Sequence, residues 1–205
     1  LLVEAGTGVG KSFGYLVPAI RRIIEHGETV VIATNTITLQ EQLVNHDVPI
    51  LREAFGGGFD AVLVKGRANY LSLRRMHRAL AQGGALVNDS RAMADLQVIN
   101  TWSETTKDGS RSSLPMLPRG DVWELVKSDG SRCLGKKCPT YADCFYQTAR
   151  RAMERGNLLV CNHALFFSDL ALRIRGAGFL PRYDHVIFDE AHAVEDVAAD
   201  HFGAS

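Results

Sequence analysis

EAGTGVGKS, residues 4–12, lies between an apolar run, LLVEA (1–5), and a helical pattern, KSFGYLVPAIRRIIEHG (11–27). A glycine-rich turn that leaves a strand and opens a helix is the setting of a phosphate-binding loop. The helix N-terminus offers free N–H groups, and glycine lets the backbone wrap closely around an anion. Ala5, Gly6, Thr7, Gly8, Val9, Gly10, Lys11 and Ser12 are therefore the candidate ATP contacts. In this reading Lys11 meets the β and γ phosphates and the Ser12 hydroxyl holds Mg2+. Ala5 stands where the consensus has glycine. The bland alternative is a flexible loop without a ligand.

Working outward, four more segments rich in β-branched or aliphatic residues follow: TVVIAT (29–34), AVLVK (61–65), NLLVC (157–161) and HVIF (185–188). Like LLVEA, each is nearly continuous rather than alternating, which suits strands covered on both faces of a parallel sheet. Helical patterns separate several of them, the first with Gly27 as a C-cap and Pro18 as a kink, so the expected fold is a doubly wound α/β sheet. The long interval between the third and fourth segments breaks this rhythm. It holds helical stretches at 70–82 and 90–105, a Ser-, Gly- and Pro-rich loop at 107–121, and three cysteines. The expected organisation is a sheet domain of residues 1–66 and 157–197, a mainly helical, cysteine-containing insertion at 67–156, and the start of a further segment at 198–205. Residue 1 already falls within a predicted strand, as in a piece of a longer protein.

HVIFDEAH (185–192) supplies carboxylates to match the loop. Four apolar residues end in two acids, which places Asp189 and Glu190 at the carboxyl edge of the sheet, where α/β folds bind ligands. Asp189 is the candidate Mg2+ ligand and Glu190 the candidate base for the water that attacks the γ phosphate, with Lys11 as its catalytic partner. An exposed acidic turn is the competing reading of this tetrapeptide taken alone.

Composition narrows the class. The 205 residues are 46% hydrophobic and 22% charged, and no apolar run approaches the roughly 20 residues needed to span a bilayer, so no membrane partner is expected. No basic start, apolar stretch and cleavage site occur in that order, and unevenly clustered cysteines then favour thiol or metal chemistry in the cytoplasm. The formal net charge of zero argues against a blanket nucleic-acid binder, yet residues 65–78 carry five Lys or Arg and no acid, while 184–200 carry six acids and no Lys or Arg. Such segregation suits one region that meets phosphates and another that holds a cation, although ordinary solvated faces give the same pattern.

AGTGVGKS, ATNTITLQEQL (33–43), KGRANYLSLRR (65–75), the cysteines, LVCNHALF (159–166) and DEAH occur in an order that resembles the DinG and XPD group of superfamily 2 helicases, and most closely its bacterial DinG branch. The resemblance spans almost the whole chain. It implies a RecA-like P-loop NTPase sheet, ATP-driven 5′ to 3′ translocation on single-stranded DNA in repair or replication at the nucleoid, and a second motor domain in the full-length protein. It also implies that Thr34, Thr36 and Gln40 touch the DNA backbone and that His192 couples the nucleotide site to the motor. Hydroxyl and amide groups past a strand end do suit phosphate contacts indifferent to base identity, while Thr34 and Gln40 as caps of the next helix are the alternative. Arg67, Arg74, Arg75 and Arg78 form a basic face beside the implied DNA path, with Tyr70 positioned to stack on a base or, equally, to pack inside.

The resemblance further implies a 4Fe-4S cluster held by four cysteines. Cys133, Cys138 and Cys144, with four and five residues between them, match the later three, and Ser72 stands at the first position. Serine competes poorly with thiolate for soft metal, which leaves four outcomes: a 4Fe-4S cluster with serine or water at one iron, a three-iron cluster, zinc completed by another residue, or no metal. Cys161 sits in a predicted buried strand, where cysteine is usually a small hydrophobe; a replacement ligand is the alternative, against which its distance from the insertion argues. A cluster would staple an insertion with too few large apolar residues to build its own core. Two readings compete with the motor: a nucleic-acid-binding module with a regulatory or redox metal and a degenerate ATPase, and an ATP-dependent nuclease, disfavoured by the absence of a second acidic cluster.

Overall fold

The computed structural model describes residues 1–5, 10–83 and 90–202. They form two compact units, one of residues 1–65 with 152–205 and the other of residues 66–151.

The first unit is built on four parallel strands, β1 (Val30–Thr34), β2 (Ala61–Leu63), β3 (Leu158–Asn162) and β4 (His185–Phe188), in the order β2-β3-β1-β4. Val30 pairs with Leu158 on one side and His185 on the other, so the strand ends stay in step and Ala33 is flanked by Cys161 and Phe188. Alternation along β1 sends Val30 and Ile32 to one core, shared with Leu16, Ile20 and Ile23 of α1 (Lys11–His26) and with Leu51 of α3 (Val48–Phe55). Val31 and Ala33 go to the opposite core, with Phe166 and Phe167 of α8 (His163–Ile174) and Val194 and Val197 of α9 (Val194–Phe202). Both faces of the sheet are therefore covered, which explains why β1 and β3 read as unbroken apolar runs. Each fully buried Val, Ile, Leu or Phe contributes about 1.5–3 kcal/mol relative to exposure.

Between β1 and β2 the chain forms α2 (Ile37–Gln42), then a π-helical turn at Leu43–Asp47, then α3. α1 runs on through Pro18 and ends at Gly27, whose φ of 68° only glycine adopts freely and whose N–H meets the Ile23 carbonyl. Two expectations are corrected. LLVEA forms no strand and lies outside the sheet, with Leu1, Leu2 and Val3 exposed. The boundary at 198 falls inside α9, so residues 198–202 continue the first unit.

The second unit packs α4 (Leu73–Gln82), α5 (Ser90–Ser103) and α6 (Gly120–Val126) around Leu71, Met76, Leu96, Ile99, Trp102 and Trp123. Trp102 donates to the Ser113 carbonyl at 3.1 Å and Trp123 to the Ala68 carbonyl at 3.0 Å, so both indoles are buried with their N–H groups satisfied. An apolar core of this kind corrects the expectation that the insertion depends on a metal for its fold. The segment that lacks apolar cover is the cysteine loop, which runs from Ser128 through a 3-10 turn at Gly135–Lys137 to the start of α7 (Phe145–Arg155). No helix among the described residues is long and apolar enough to cross a membrane.

Candidate functional site

Of the glycine-rich loop, Gly6, Thr7, Gly8 and Val9 lie outside the described residues, whereas Ala5, Gly10, Lys11 and Ser12 lie within them. Gly10 takes the left-handed conformation, φ 79°, at the N-cap of α1, and no side chain caps the helix there. The sixteen-residue helix thus begins with donors that a phosphate can take up and a dipole that favours an anion.

Lys11 extends from this terminus to Glu190, with Nζ 3.1 Å from Oε1. One helical turn further along α1, the Tyr15 hydroxyl donates to Oδ2 of Asp189 at 3.1 Å. The structure therefore brings Lys11 and the two acids together although 179 positions separate Lys11 from Glu190. Asp189 continues the ladder beyond β4, its N–H meeting the Ala33 carbonyl at 2.9 Å, and its Oδ1 accepts the Glu190 N–H at 3.0 Å. Glu190 adopts φ 53°, the one non-glycine residue at positive φ among those described, at a cost of about 1–2 kcal/mol. That turn ends the strand abruptly and aims the Glu190 carboxylate back at Lys11. His192, largely exposed, places Nδ1 3.5 Å from Oε2 of Glu190. Because Lys11 and Glu190 are each about 30% exposed, at 33% and 29%, their pairing is worth no more than about 1 kcal/mol and an incoming phosphate can displace it. The donor set, an uncapped helix terminus with an ammonium, a hydroxyl and two carboxylates, fits a magnesium nucleotide.

The implied DNA segment is arranged differently from expectation. Thr34 and Gln40 are 0% and 1% exposed, and Thr34 Oγ1 and Gln40 Oε1 have no hydrogen-bond partner among the described residues. Neither side chain reaches a DNA backbone in this conformation, and neither caps a helix. The cap of α2 is Thr36, exposed, whose Oγ1 accepts the Leu39 N–H at 3.2 Å.

In the second unit Ser72, Cys133, Cys138 and Cys144 line one cavity, together with Arg74 and Tyr146. Ser72 occupies the N-cap of α4 without donating or accepting a capping bond through its hydroxyl. The Gly135 N–H points at the Cys133 sulfur at 3.4 Å, and this bond, aided by the nearby Arg67 guanidinium, lowers the thiol from its ordinary range. A thiolate is the metal-binding form. Among the described residues no three His, Cys, Asp or Glu side chains are gathered as a metal ion requires. Cys161, by contrast, is fully buried in β3 of the first unit, and burial pushes its thiol up to about 12, as befits a small apolar residue.

Three basic-face assignments change. Tyr70 is 4% exposed with its ring edge-on to Tyr146 at 5.9 Å, so it packs inside and is not free to stack on a base. Arg75 is also buried, and it donates to the carbonyls of Lys127 at 2.6 Å and Glu124 at 2.8 Å, at the C-terminal end of α6. Arg67 lies over the Tyr146 ring at 4.0 Å, turned toward Cys133. Arg74 donates to the Arg132 carbonyl, while Arg78 is exposed and donates to Gln82 Oε1 at 3.2 Å.

Sequence reasoning passed over Tyr15 and His163. Tyr15 could have been found by its spacing, since residues four apart on a helix share a face and Lys11 was already assigned. His163 lay in a quoted motif without a role. It is fully buried, with Nε2 3.1 Å from the Ala33 carbonyl and 2.9 Å from that of Asp189, so Nε2 carries the hydrogen and ties the ends of β1 and β4 together.

Comparison with known proteins adds an independent observation. The chain is 37% identical over 207 residues to the ATP-dependent DNA helicase YoaA of Haemophilus influenzae and 38% identical over 207 residues to that of Escherichia coli, matching 100% of this chain in both cases. It is 34% identical over 214 residues, 96% of this chain, to the ATP-dependent helicase DinG of Mycobacterium tuberculosis. These matches cover 31%, 32% and 32% of the relatives, so the chain spans about a third of their length. No family model matches the chain.

Proposed function

We propose that this chain, similar along its length to DinG-like helicases, is the nucleotide-binding part of the first motor domain of an ATP-dependent DNA helicase. The observation that carries the reading is the approach of Lys11 and Tyr15, on the first turns of α1, to Glu190 and Asp189 at the end of β4. In the working site the α1 N-terminus and Lys11 take the phosphates, Ser12 and Asp189 hold Mg2+, and Glu190, released from Lys11, orients and deprotonates the attacking water. His192, in contact with that same carboxylate, is placed to pass its state to the rest of the motor. Hydrolysis drives 5′ to 3′ movement on single-stranded DNA only with a second motor domain, so this chain alone binds nucleotide weakly, turns it over slowly and unwinds nothing.

Cys133, Cys138 and Cys144, with Ser72 at the fourth position, are proposed to hold an iron-sulfur cluster in the second unit, where the lowered Cys133 thiol favours ligation. Cys133, Cys138 and Cys144 would tie the loop down through iron-thiolate bonds to such a cluster. Thr36 and Arg78 are the exposed members of the implied DNA-contact set.

The test is ATP hydrolysis by the full-length protein with and without single-stranded DNA. Glu190→Gln is expected to lower the stimulated rate by about 10²–10⁴-fold, the scale of a lost general base, and Lys11→Ala to abolish it. A full-length protein that binds DNA but hydrolyses no ATP supports instead a binding module with a degenerate ATPase.

A further inference from the structure

Both carboxylate oxygens of Asp189 are engaged. Oδ1 takes the Glu190 N–H at 3.0 Å and Oδ2 takes the Tyr15 hydroxyl at 3.1 Å. The first contact is backbone and local, so it comes with the turn. The second crosses 174 positions and depends on one atom, the phenolic oxygen.

Tyr15 is set to make that contact by its position. It follows Lys11 by four residues on α1, so the two side chains share a face, and successive residues of that face meet successive residues beyond β4: Lys11 meets Glu190, Tyr15 meets Asp189. The Tyr15 ring packs on the core formed by Leu16, Ile20 and Ile32, which fixes its direction. The hydroxyl is the donor in this contact, because its partner is a carboxylate oxygen. Asp47 also acts electrostatically on this hydroxyl; it is 3% exposed, and its Oδ2 has no hydrogen-bond partner among the described residues. It belongs to the π-helical turn at Leu43–Asp47, a kind of helix irregularity found often at functional sites.

We propose that Tyr15 is a positioning residue for the metal at Asp189: its hydroxyl holds Oδ2 and so fixes the plane of the carboxylate that receives Mg2+. Without it Asp189 is free to rotate toward the Lys11 ammonium, which stands beside Glu190, and the metal then competes with a cation for the same oxygen. The role is that of the groups behind metal ligands generally, which orient the ligand without touching the metal. It rests on the nucleotide-site reading and adds to it a residue that touches neither phosphate nor water.

The experiment is a Mg2+ titration in the full-length protein, read both as binding of a fluorescent non-hydrolysable ATP analogue and as DNA-stimulated ATP hydrolysis, for the wild type, Tyr15→Phe and Lys11→Ala. Phenylalanine keeps the packing and removes one oxygen. The concentration of Mg2+ at half-maximal binding and at half-maximal rate is expected to rise about 10-fold in Tyr15→Phe, within the range for loss of such a partner, with the rate at saturating Mg2+ within about 3-fold of wild type. An unchanged Mg2+ dependence, or a lowered rate that Mg2+ does not restore, overturns the proposal. Unaltered hydrolysis by Lys11→Ala overturns the underlying nucleotide-site reading instead, which separates the two failures. Melting of Tyr15→Phe at the wild-type temperature confirms that the fold is intact. Should that variant not fold, Tyr15→Leu is titrated in its place, and a Mg2+ dependence equal to wild type overturns the proposal.

Discussion

Replacing Arg75 separates a buried strut from a DNA contact. Its guanidinium spans two carbonyls, of Glu124 and Lys127, at 2.8 and 2.6 Å, and it is only 9% exposed. A hydrogen bond to a charged group contributes about 1.5–3 kcal/mol net, so truncation to alanine removes two such bonds and leaves the carbonyl end of α6 unpaired inside the second unit. Water entering the space recovers part of the loss, and the expected destabilisation is ~3 kcal/mol. Both tryptophans of the chain, Trp102 and Trp123, sit in the core of this unit, so their fluorescence reports its unfolding selectively. With a urea dependence near the low end for small domains, about 1–1.5 kcal/mol per molar, the midpoint of Arg75→Ala falls by about 2–3 M. Arg75→Lys recovers only a fraction, because a point charge cannot bridge two carbonyls as a planar fork does. A midpoint within about 0.5 M of wild type, with DNA binding weakened in a salt-dependent way, refutes the reasoning and restores the surface role.

Other outcomes follow from the cysteine loop and the sheet. Ser72→Cys, by adding a fourth thiolate to the cavity lined by Cys133, Cys138 and Cys144, raises the iron and sulfide retained per chain after anaerobic purification; equal retention shows that position 72 does not face the metal. Chelation of iron leaves the tryptophan signal unchanged, since Trp102 and Trp123 belong to an apolar core, but opens residues 128–144 to proteolysis. In the metal-free chain iodoacetamide modifies Cys133 at a lower pH than an ordinary thiol, whose pKa is about 8.5, because the Gly135 N–H and Arg67 favour the thiolate. Cys161 behaves in the opposite sense. Its pKa of about 12 when folded exceeds the unfolded value, so the unfolded chain holds fewer protons above about pH 8.5, and stability falls with rising pH by ~1.4 kcal/mol per unit toward pH 12. Cys161→Ala reduces that slope.

The parts of the fold legible in sequence were those set by local pattern. Unbroken apolar runs at 29–34 and 157–161 correspond to β1 and β3 because burial on both faces leaves no polar position to interrupt them, while the run at 185–188 is β4, whose residues are half-buried or, at His185, exposed. LLVEA has the same pattern but forms no strand, so an apolar run alone does not decide pairing. Position along the chain also hid direction. Tyr70 and Arg75 read as members of a basic, aromatic face, but α4 turns Arg75 inward beneath α6, and Tyr70 lies against Tyr146 across the insertion. The hydrogen bonds of Tyr15 and His163 span 174 and 130 positions, so only folded geometry displays them.

A crystal structure of the chain with Mg2+ and a non-hydrolysable ATP analogue is the measurement that bears most directly on the shared site of the glycine-rich loop and the DEAH acids. The γ phosphate should displace Glu190 from Lys11, now 3.1 Å apart, with the metal between the Ser12 hydroxyl and Asp189. A nucleotide bound elsewhere, or one seated at Lys11 with its metal remote from Asp189, contradicts that arrangement.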